Sequence, residues 1–284
     1  MNIGLIMSGG MAKGAYQVGA LKAISEYLDH DDIKYVSAAS IGVLNAYAFS
    51  SGNIEIAEKL WKGVTSVNKK VFITSLYRSE YLKDAISSIL TNEIYAEKFY
   101  VPVLQIKNMK LKYVNFIDVP DDQRFSTIQA AIAFPPFTSP VKIGNRLCCD
   151  GALIDNIPVY PFLNHDLDYI ICMYFDEYNY SFEVPDFDKR IIKITFNDND
   201  KMLSNLVYYD RQANDRMIES GYKSAKSVLD LVFSDGVENV EKIYSHIESL
   251  NNINNKRHIR ITGDVVINNL NKFAKWFTKR KIID

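Results

Sequence analysis

The stretch "IMSGGMAKGAYQVGAL", residues 6–21, joins a short apolar run to a helical pattern through a turn rich in glycine. The apolar run at residues 3–7 predicts a buried strand. Apolar residues spaced by three or four predict the helix that follows: Val18, Leu21, Ile24 and Leu28. Between Gly9 and Gly14 the turn holds three glycines and a lysine. Such a turn suits either phosphate binding or a backbone cradle for a negatively charged oxygen, and the rest of the chain must decide.

Strand and helix patterns alternate through the first two thirds of the chain. Further strands are predicted at residues 33–36, 101–106, 111–117, 169–174 and 190–195. Helices are predicted at residues 41–49, 54–61, 81–90 and 126–133, the last with Ser126 as its N-cap. This alternation predicts an α/β fold of three layers, with a mostly parallel central sheet flanked by helices.

Helical periodicity dominates after Phe196, over residues 213–233, 237–250 and 265–277. We therefore expect a helical C-terminal third. The chain of 284 residues is long enough for one large domain. We expect a single domain over 1–284, with an α/β core at 1–195 and a helical extension at 196–284.

Composition excludes several classes of protein. Apolar residues make up 48% of the chain, and the net charge of −1 gives no basic bias toward nucleic acid. The three cysteines lack the spacing of a disulfide framework or a zinc site. The N-terminus lacks the features of a secretory signal, and no run of about 18 apolar residues is present. We expect a cytoplasmic protein with reduced thiols and no metal.

A second tight turn, "SAASIG" at residues 37–42, lies between the second predicted strand and its helix. A serine flanked by small residues at such a turn is typical of a nucleophile elbow, which exposes the hydroxyl above the sheet edge. Ser40 has this setting, although the usual G-x-S-x-G is here Ala-Ala-Ser-Ile-Gly. The alternative is that Ser40 only caps the helix.

A third stretch places Asp150 directly after Leu147, Cys148 and Cys149 and before Gly151. A carboxylate on a tight turn in apolar surroundings has a raised pKa and is a better base. The alternative is an ordinary Asp-Gly turn.

Together the three stretches resemble the patatin-like phospholipase family, over roughly residues 3–161, with a weaker similarity at 217–225. The family's glycine-rich loop, G-G-G-x-[KR]-G, is similar to residues 9–14. Its G-x-S-x-G is similar to residues 38–42, and its D-G-[GA] matches residues 150–152. The resemblance implies a three-layer patatin-like fold.

The resemblance also implies a mechanism that uses a Ser–Asp dyad and no cofactor. Ser40 would attack an ester carbonyl, and Asp150 would take its proton and later activate water. The oxyanion would be held by backbone N–H groups of Gly9, Gly10 and Met11. Supporting roles fall to Lys13, Gly14, Gly42 and Gly151. Lys13 would add positive charge or brace the loop, unless it is a solvated lysine at a helix start.

Two residues depart from the family pattern. Met11 replaces a third glycine and would be strained if that position needs a positive φ. Ala38 replaces the first glycine of the elbow, which is the milder change. The function implied is a serine lipid acyl hydrolase, of phospholipase A or lysophospholipase-like type, acting on a lipid or another acyl ester. The alternative is a catalytically weak or inactive lipid-binding protein.

A Ser–His–Asp triad and a phosphate site are the competing explanations. The four histidines, His30, His165, His246 and His258, are each expected to be structural or solvated. A phosphate site is disfavoured because the first loop fits neither G-x-x-x-x-G-K-[ST] nor a complete G-x-G-x-x-G.

The last aromatic and basic segment, "FAKWFTKRK" at residues 273–281, is typical of helices at a lipid interface. One hypothesis is peripheral membrane contact through it; the other, favoured because apolar stripes on helices usually face the core, is that Phe273, Trp276 and Phe277 pack on the core.

Overall fold

A computed structural model describes residues 1–63, 71–72, 80–135, 138–175, 179–181, 185–196, 208–209, 211–253 and 258–260. The strands are β1 Ile3–Met7, β2 Ile33–Ala38, β3 Val71–Phe72, β4 Lys98–Gln105, β5 Lys110–Asn115, β6 Val141–Ile143, β7 Arg146–Asp150, β8 Tyr169–Tyr174, β9 Asn179–Ser181, β10 Ile191–Thr195, β11 Tyr208–Tyr209 and β12 His258–Arg260. The α-helices are α1 Gly14–Ile24, α2 Gly42–Ser50, α3 Ile54–Gly63, α4 Glu80–Ile89, α5 Asp121–Ala131, α6 Pro185–Asp188, α7 Arg211–Val232 and α8 Val240–Ile253. Short 3-10 helices cover Met11–Lys13, Ile106–Asn108, Phe116–Asp118, Gly151–Leu153 and Tyr160–Asn164.

Eight strands form the central sheet in the order β10-β8-β1-β2-β4-β7-β6, with β5 also paired to β4. The pairings from β10 through β4 are parallel, whereas β5, β6 and β7 pair antiparallel. The predicted mixed α/β architecture with a parallel central sheet is therefore confirmed. The carboxyl ends of β1, β2 and β4 share one edge of the sheet, where parallel α/β folds build their sites.

Strand β4 has two successive neighbours on one side. Its first residues pair with β2, ending at Tyr100 opposite Ser37. Its last residues pair with β7, beginning at Val103 opposite Asp150. Since β5 occupies the other side of β4 from Tyr100 to Gln105, β7 must lie on the side where β2 has ended. The end of β7 is thus brought to the carboxyl end of β2.

Alternating side chains divide the core into two layers. In β1, Leu5 and Met7 join the large cluster beneath the helices, and Ile6 joins the cluster on the other face. That second face is covered by the 3-10 helix Tyr160–Asn164 and by α6 rather than by long helices; its core includes Phe162 and Phe187. The period of two in these strands produces this separation.

Helix α7 packs directly on α1 through glycine. A Cβ on Gly19 would lie 1.9 Å from the carbonyl oxygen of Ile218, and a Cβ on Gly221 would lie 2.0 Å from that of Tyr16. Only residues without a side chain allow such an approach of two backbones. The first of the predicted C-terminal helices therefore covers the helix that follows the glycine-rich turn.

Several predicted boundaries were wrong. Helix α5 begins at Asp121 after Pro120, not at Ser126, because two acidic residues in the first turn suit a helix N-terminus. The Ser126 hydroxyl instead donates to the carbonyl of Gln123. The short strands β3, β6, β7, β9, β11 and β12 were not predicted, since runs of two to five residues carry little periodicity. The predicted helix at 265–277 and the segment 273–281 lie outside the described residues.

Candidate active site

Ser40 lies in the turn between β2 and α2 with a φ of 53°, in the left-handed region. This conformation is rare for a residue with a side chain and is typical of a strained nucleophile elbow. Helix α2 has no side-chain cap at its N-terminus, so Ser40 does not cap the helix. The residue is 4% exposed.

Small residues around the elbow allow its backbone to meet β1. The Ala39 N–H donates to the carbonyl of Met7 over 2.9 Å. A Cβ on Gly42 would lie 2.8 Å from the carbonyl oxygen of Ser8, so glycine is required there by close approach. Ala38 is fully buried at the end of β2. The elbow is thereby fixed against the end of the neighbouring strand.

Asp150 ends β7 and is fully buried. Its Oδ1 accepts a hydrogen bond of 2.9 Å from the Ala152 N–H, which caps the 3-10 helix that follows. Burial raises the pKa of Asp150 to about 7, while the Ser40 hydroxyl and the Ala152 N–H lower it. Asp150 thus makes an Asp-Gly turn, and its carboxyl group, with its raised pKa, also faces the elbow.

The Ser40 hydroxyl and the Asp150 carboxyl are neighbours. The Oδ2 atom of Asp150 is buried and makes no hydrogen bond of standard geometry with a described residue. The serine hydroxyl nevertheless lowers the pKa of this carboxyl. Hydrogen bonds between catalytic groups are often loose before substrate binds. Gly151 follows with its backbone against Pro102, where a Cβ would lie 2.5 Å from the proline carbonyl carbon.

The glycine-rich turn runs beside the elbow. A Cβ on Gly9 would lie 2.7 Å from the Ser40 Cβ and 2.6 Å from the Asn156 Oδ1, so no side chain fits there. The Gly9 N–H donates to the Asn156 carbonyl over 3.3 Å, and the Asn156 Nδ2 donates back to the Gly9 carbonyl over 3.2 Å. The N–H of Gly9, one of the three expected oxyanion donors, is therefore already engaged.

The next two residues leave their N–H groups without a hydrogen-bond partner among the described residues. They are Gly10 and Met11, and Met11 has a φ of 50°. A Cβ on Gly10 would lie 2.2 Å from the ring of Phe175. The Nζ of Lys13 lies 5.7 Å from the centre of the same ring. Phe175 thus packs against this turn. The Lys13 ammonium group lies over the Phe175 ring, so Lys13 is not a fully solvated lysine.

A buried polar network supports the turn from below, and sequence patterns did not predict it. The Gln17 amide donates to the Ser8 carbonyl over 2.7 Å. The Asn45 amide donates to the Gly14 carbonyl and to Gln17, each over 2.9 Å. The Trp61 indole donates to Asn45 over 2.9 Å, and its ring fills the space beside Gly14. The two Asn45 bonds fix the start of α1 relative to α2, the Gln17 bond fixes α1 to the residue after β1, and the Trp61 bond fixes α3 to α2.

Asp155 is a second buried carboxyl beside the site that the sequence reasoning missed. Its Oδ2 accepts a bond of 2.5 Å from the Tyr113 hydroxyl, and its Oδ1 accepts from the Ile157 N–H over 3.2 Å. Burial raises the pKa of Asp155 to about 6, although both donors lower it. These bonds shape the loop that carries Asn156.

A cavity of about 600 Å³ opens between the start of α4, the end of α5 and the segment before β6. Its apolar lining consists of Leu82, Ile86, Ile132, Ala133, Pro135, Pro140 and Val141. The Ala133 carbonyl accepts a bond of 2.9 Å from the Asp150 N–H. The C-terminus of α4 lies beside that of α2, because the Tyr47 hydroxyl donates to the Asn92 carbonyl. Because Ala133 lines the cavity and accepts the bond from Asp150, the cavity lies beside the end of β7 that carries Asp150.

A sequence model described as patatin-like phospholipase matches residues 5–163. This match spans more than half of the 284 residues and includes all three turns. The chain belongs to the patatin-like phospholipase family.

Curated relatives include uncharacterized NTE family proteins of Mycobacterium bovis and Mycobacterium tuberculosis, which are 24% identical over 179 residues. The match covers 60% of this chain, and the chain spans about half (48%) of the length of those relatives. Among solved structures, VipD from Legionella pneumophila matches with a TM-score of 0.51 at 12% identity, over 100% of this chain and 81% of that one. ExoU in its complex with SpcU from Pseudomonas aeruginosa gives 0.45 at 11% identity, over 89% of this chain and 58% of that one. The similarity to VipD supports the mixed α/β fold described above.

The histidines whose side chains are described lie away from the patatin-like site. His165 bonds to the Tyr100 hydroxyl over 2.8 Å, and burial lowers its pKa. It precedes β8 at the opposite edge of the sheet from Ser40. His30 packs on Tyr95, and His246 pairs with an aspartate on the surface. The side chain of His258 lies outside the described residues.

Carboxylates able to share a cation occur among the described residues at Asp29, Asp31 and Asp32. All three are exposed and precede β2, away from the elbow.

In the part of the chain that the structure describes, no helix combines the length and apolar character needed to cross a bilayer. Pro136 and Phe137, which follow Pro135 at the cavity, lie outside the described residues.

Proposed function

We propose that the protein is a serine lipid acyl hydrolase that uses Ser40 as nucleophile and Asp150 as base. The observation that carries this proposal is the juxtaposition of a left-handed Ser40 elbow with a buried carboxyl whose Oδ2 has no described hydrogen-bond partner. A pKa of about 7 suits a general base near neutral pH. Family membership supports a lipid substrate.

In the acylation step, Asp150 Oδ2 takes the hydroxyl proton as Ser40 Oγ bonds to the ester carbonyl carbon. The carbonyl oxygen becomes an oxyanion, to which the N–H groups of Gly10 and Met11 donate. Collapse of the tetrahedral intermediate breaks the bond to the alcohol, which leaves with the proton from Asp150. The acyl group remains on Ser40.

In the deacylation step, Asp150 takes a proton from water as the water oxygen attacks the acyl carbon. The second tetrahedral intermediate breaks its bond to Ser40 Oγ, which recovers the proton from Asp150. A carboxylic acid is released and both side chains return to their starting states. No external oxidant, reductant or co-reactant besides water is needed.

The cavity beside Asp150 is lined mainly by apolar residues, together with Lys83, Gln129, Thr138 and Ser139, and this lining supports an acyl chain as the part of the substrate that is recognised. Its volume lies within the range of about 300–1,000 Å³ that is usual for small-molecule sites. Burial of methylene groups provides about 0.8 kcal/mol each, so a long chain would bind more tightly than a short one. We therefore propose esters of longer fatty acids as the preferred substrates.

The test is turnover of p-nitrophenyl esters of increasing chain length, together with labelling by a fluorophosphonate probe. The wild type should turn over the longer esters faster and should be labelled. Ser40→Ala should lose both properties, and Asp150→Asn should lose turnover. Ser50→Ala is the matched control, since Ser50 is a buried serine at the far end of α2. Labelling of Ser40→Ala at the wild-type rate would disprove the proposed nucleophile.

A catalytically weak or inactive lipid-binding protein is the second candidate, favoured by two observations. Met11 has a positive φ where the family pattern has glycine, and Ser40 is 4% exposed. A wild type that binds lipid but shows neither turnover nor labelling would support this candidate over the hydrolase.

A further inference from the structure

Two neighbouring turns form a protruding basic surface at the end of the sheet. One is the turn between β4 and β5, residues 106–110, and the other joins β6 to β7, residues 143–146. We call the two turns and their flanking residues, 106–112 and 142–147, the basic tip. Its exposed cationic residues are Lys107, Lys110, Lys112, Lys142 and Arg146.

The basic tip contains no acidic residue, and the carboxylates beside it are Asp121 and Asp122 at the start of α5, whose Gln123 lies against Gly144. No aspartate or glutamate occurs in residues 98–117 or 138–149. None of the five cationic side chains forms an ion pair with a described residue. Since the whole chain has a net charge of −1, this is a local concentration of positive charge. Such a patch attracts an anionic surface.

The basic tip lies at the edge of the sheet that holds the candidate active site. Strand β4 runs parallel to β2 and continues beyond it. Asp150 pairs with Val103, and the tip begins at Ile106, three residues further along β4. At about 3.3 Å per residue, the tip therefore starts about 10 Å beyond Asp150. A flat surface that touches the tip would face the same edge as Ser40.

Two large apolar side chains project from the tip into solvent. Met109 is 51% exposed and Leu147 is 56% exposed. Met109 has a φ of 51°, where asparagine or glycine would be less strained. A strained, exposed methionine between Lys107 and Lys110 is unfavourable for folding and is typical of a surface that serves binding.

We propose that the basic tip docks on an anionic lipid bilayer, with its lysines and arginine at the headgroups and with Met109 and Leu147 inserted among them. The apolar side chains favour a bilayer over a nucleic acid, because a phosphate backbone offers them no apolar environment. The reason for docking rests on the proposed lipid hydrolase function, since the tip would bring the bilayer to the active-site edge.

The experiment measures sedimentation with vesicles of phosphatidylglycerol and phosphatidylcholine, using the whole chain with Ser40→Ala to prevent lipid turnover. Lys110→Glu combined with Arg146→Glu should weaken binding by at least about 25-fold, since each basic residue near an anionic surface contributes roughly 5-fold. Binding by the parent should fall as salt is raised. The matched control is Lys59→Glu with Lys242→Glu, which makes the same charge change at exposed lysines on α3 and α8.

The apolar contribution is tested by Met109→Asn combined with Leu147→Thr. Asparagine tolerates the left-handed conformation and threonine suits an exposed strand position, so the variant should fold. Its vesicle binding should fall by roughly 10-fold with the charge unchanged.

Three results would overturn the proposal. The first is vesicle binding by the tip variants that equals that of the Ser40→Ala parent. The second is an equal loss of vesicle binding in the Lys59→Glu, Lys242→Glu control. The third is binding of the parent to heparin or RNA without binding to vesicles. The readout is independent of catalysis, so tip-dependent vesicle binding would stand even if the wild type hydrolysed no ester. Conversely, ester turnover without tip-dependent binding would leave the hydrolase intact and remove the docking surface.

Discussion

Gly9 and Asn156, 147 residues apart in sequence, are joined by a reciprocal pair of hydrogen bonds of 3.3 and 3.2 Å. The glycine-rich turn is therefore held by the loop that follows Asp150. Gly9 also packs against Ser40, so this pair of hydrogen bonds links the surroundings of both candidate catalytic residues. This relationship also positions the N–H groups of Gly10 and Met11, which have no hydrogen-bond partner among the described residues.

Asn156→Ala should lower kcat for a p-nitrophenyl ester by roughly 10–100-fold, because misplacement of the oxyanion donors weakens binding of the transition state more than of the ester. The KM should change little. Steady-state kinetics on the folded variant provide the measurement. A raised KM with an unchanged kcat would show that Asn156 contacts the substrate instead.

The rate should depend on pH through Asp150. Only the ionised carboxyl can accept the Ser40 proton, and burial raises its pKa to about 7. We therefore expect kcat/KM to rise with pH through about 7 and to level off above it. A profile between pH 5 and pH 9 tests this, and a rate that falls over that range would rule out Asp150 as the base.

Asp150→Asn should stabilise the protein at alkaline pH while removing activity. The folded-state pKa lies above the ordinary aspartate value, so the unfolded chain loses the proton first as pH rises. Stability is then lost between about pH 4 and pH 7, by roughly 4 kcal/mol. The neutral amide avoids that loss, so urea unfolding at pH 8 should show a gain that is absent at pH 4. Asp31→Asn, at an exposed position, should show no such difference.

The activity of Met11 variants should depend on how well the new residue tolerates a positive φ rather than on the size of its side chain. Met11→Gly should keep activity within about 3-fold, since glycine adopts a φ of 50° without strain. Met11→Val should lose roughly 10-fold or more, because a β-branched residue is strongly disfavoured there and the turn must move. Kinetics and melting temperature of the two variants decide the matter, and equal behaviour of both would contradict the prediction.

Gly221→Ala should destabilise the protein although alanine favours helices. Its Cβ would lie 2.0 Å from the Tyr16 carbonyl oxygen, so α7 and α1 must separate at a cost of about 1–3 kcal/mol. Thermal unfolding measures the effect. Ser227→Ala, at an exposed position on the same helix, should leave the melting temperature nearly unchanged. A neutral or stabilising Gly221→Ala would show that the helices do not approach so closely.

Local patterns predicted the longer elements and the position of each turn. Strands β1, β2 and β8 and helices α1, α2 and α4 were found within a few residues of their predicted bounds, because each is rich in apolar residues and most are flanked by turn residues. The start of α5 was missed since Pro120 and two aspartates outweighed Ser126. The polar contacts of Asn45, Asp155 and Asn156 gave no sequence signal, because their partners are distant in the chain.

The sequence by itself determined the fold class and the three turns that carry Gly10, Ser40 and Asp150, since turn chemistry and hydrophobic period are local properties. Only the tertiary structure decided that Ser40 and Asp150 are neighbours. Strand β4 extends beyond the end of β2 and pairs there with β7. This pairing places Asp150 at the carboxyl end of β2. Burial in that position, a property of the assembled sheet, then raises the pKa of the carboxyl.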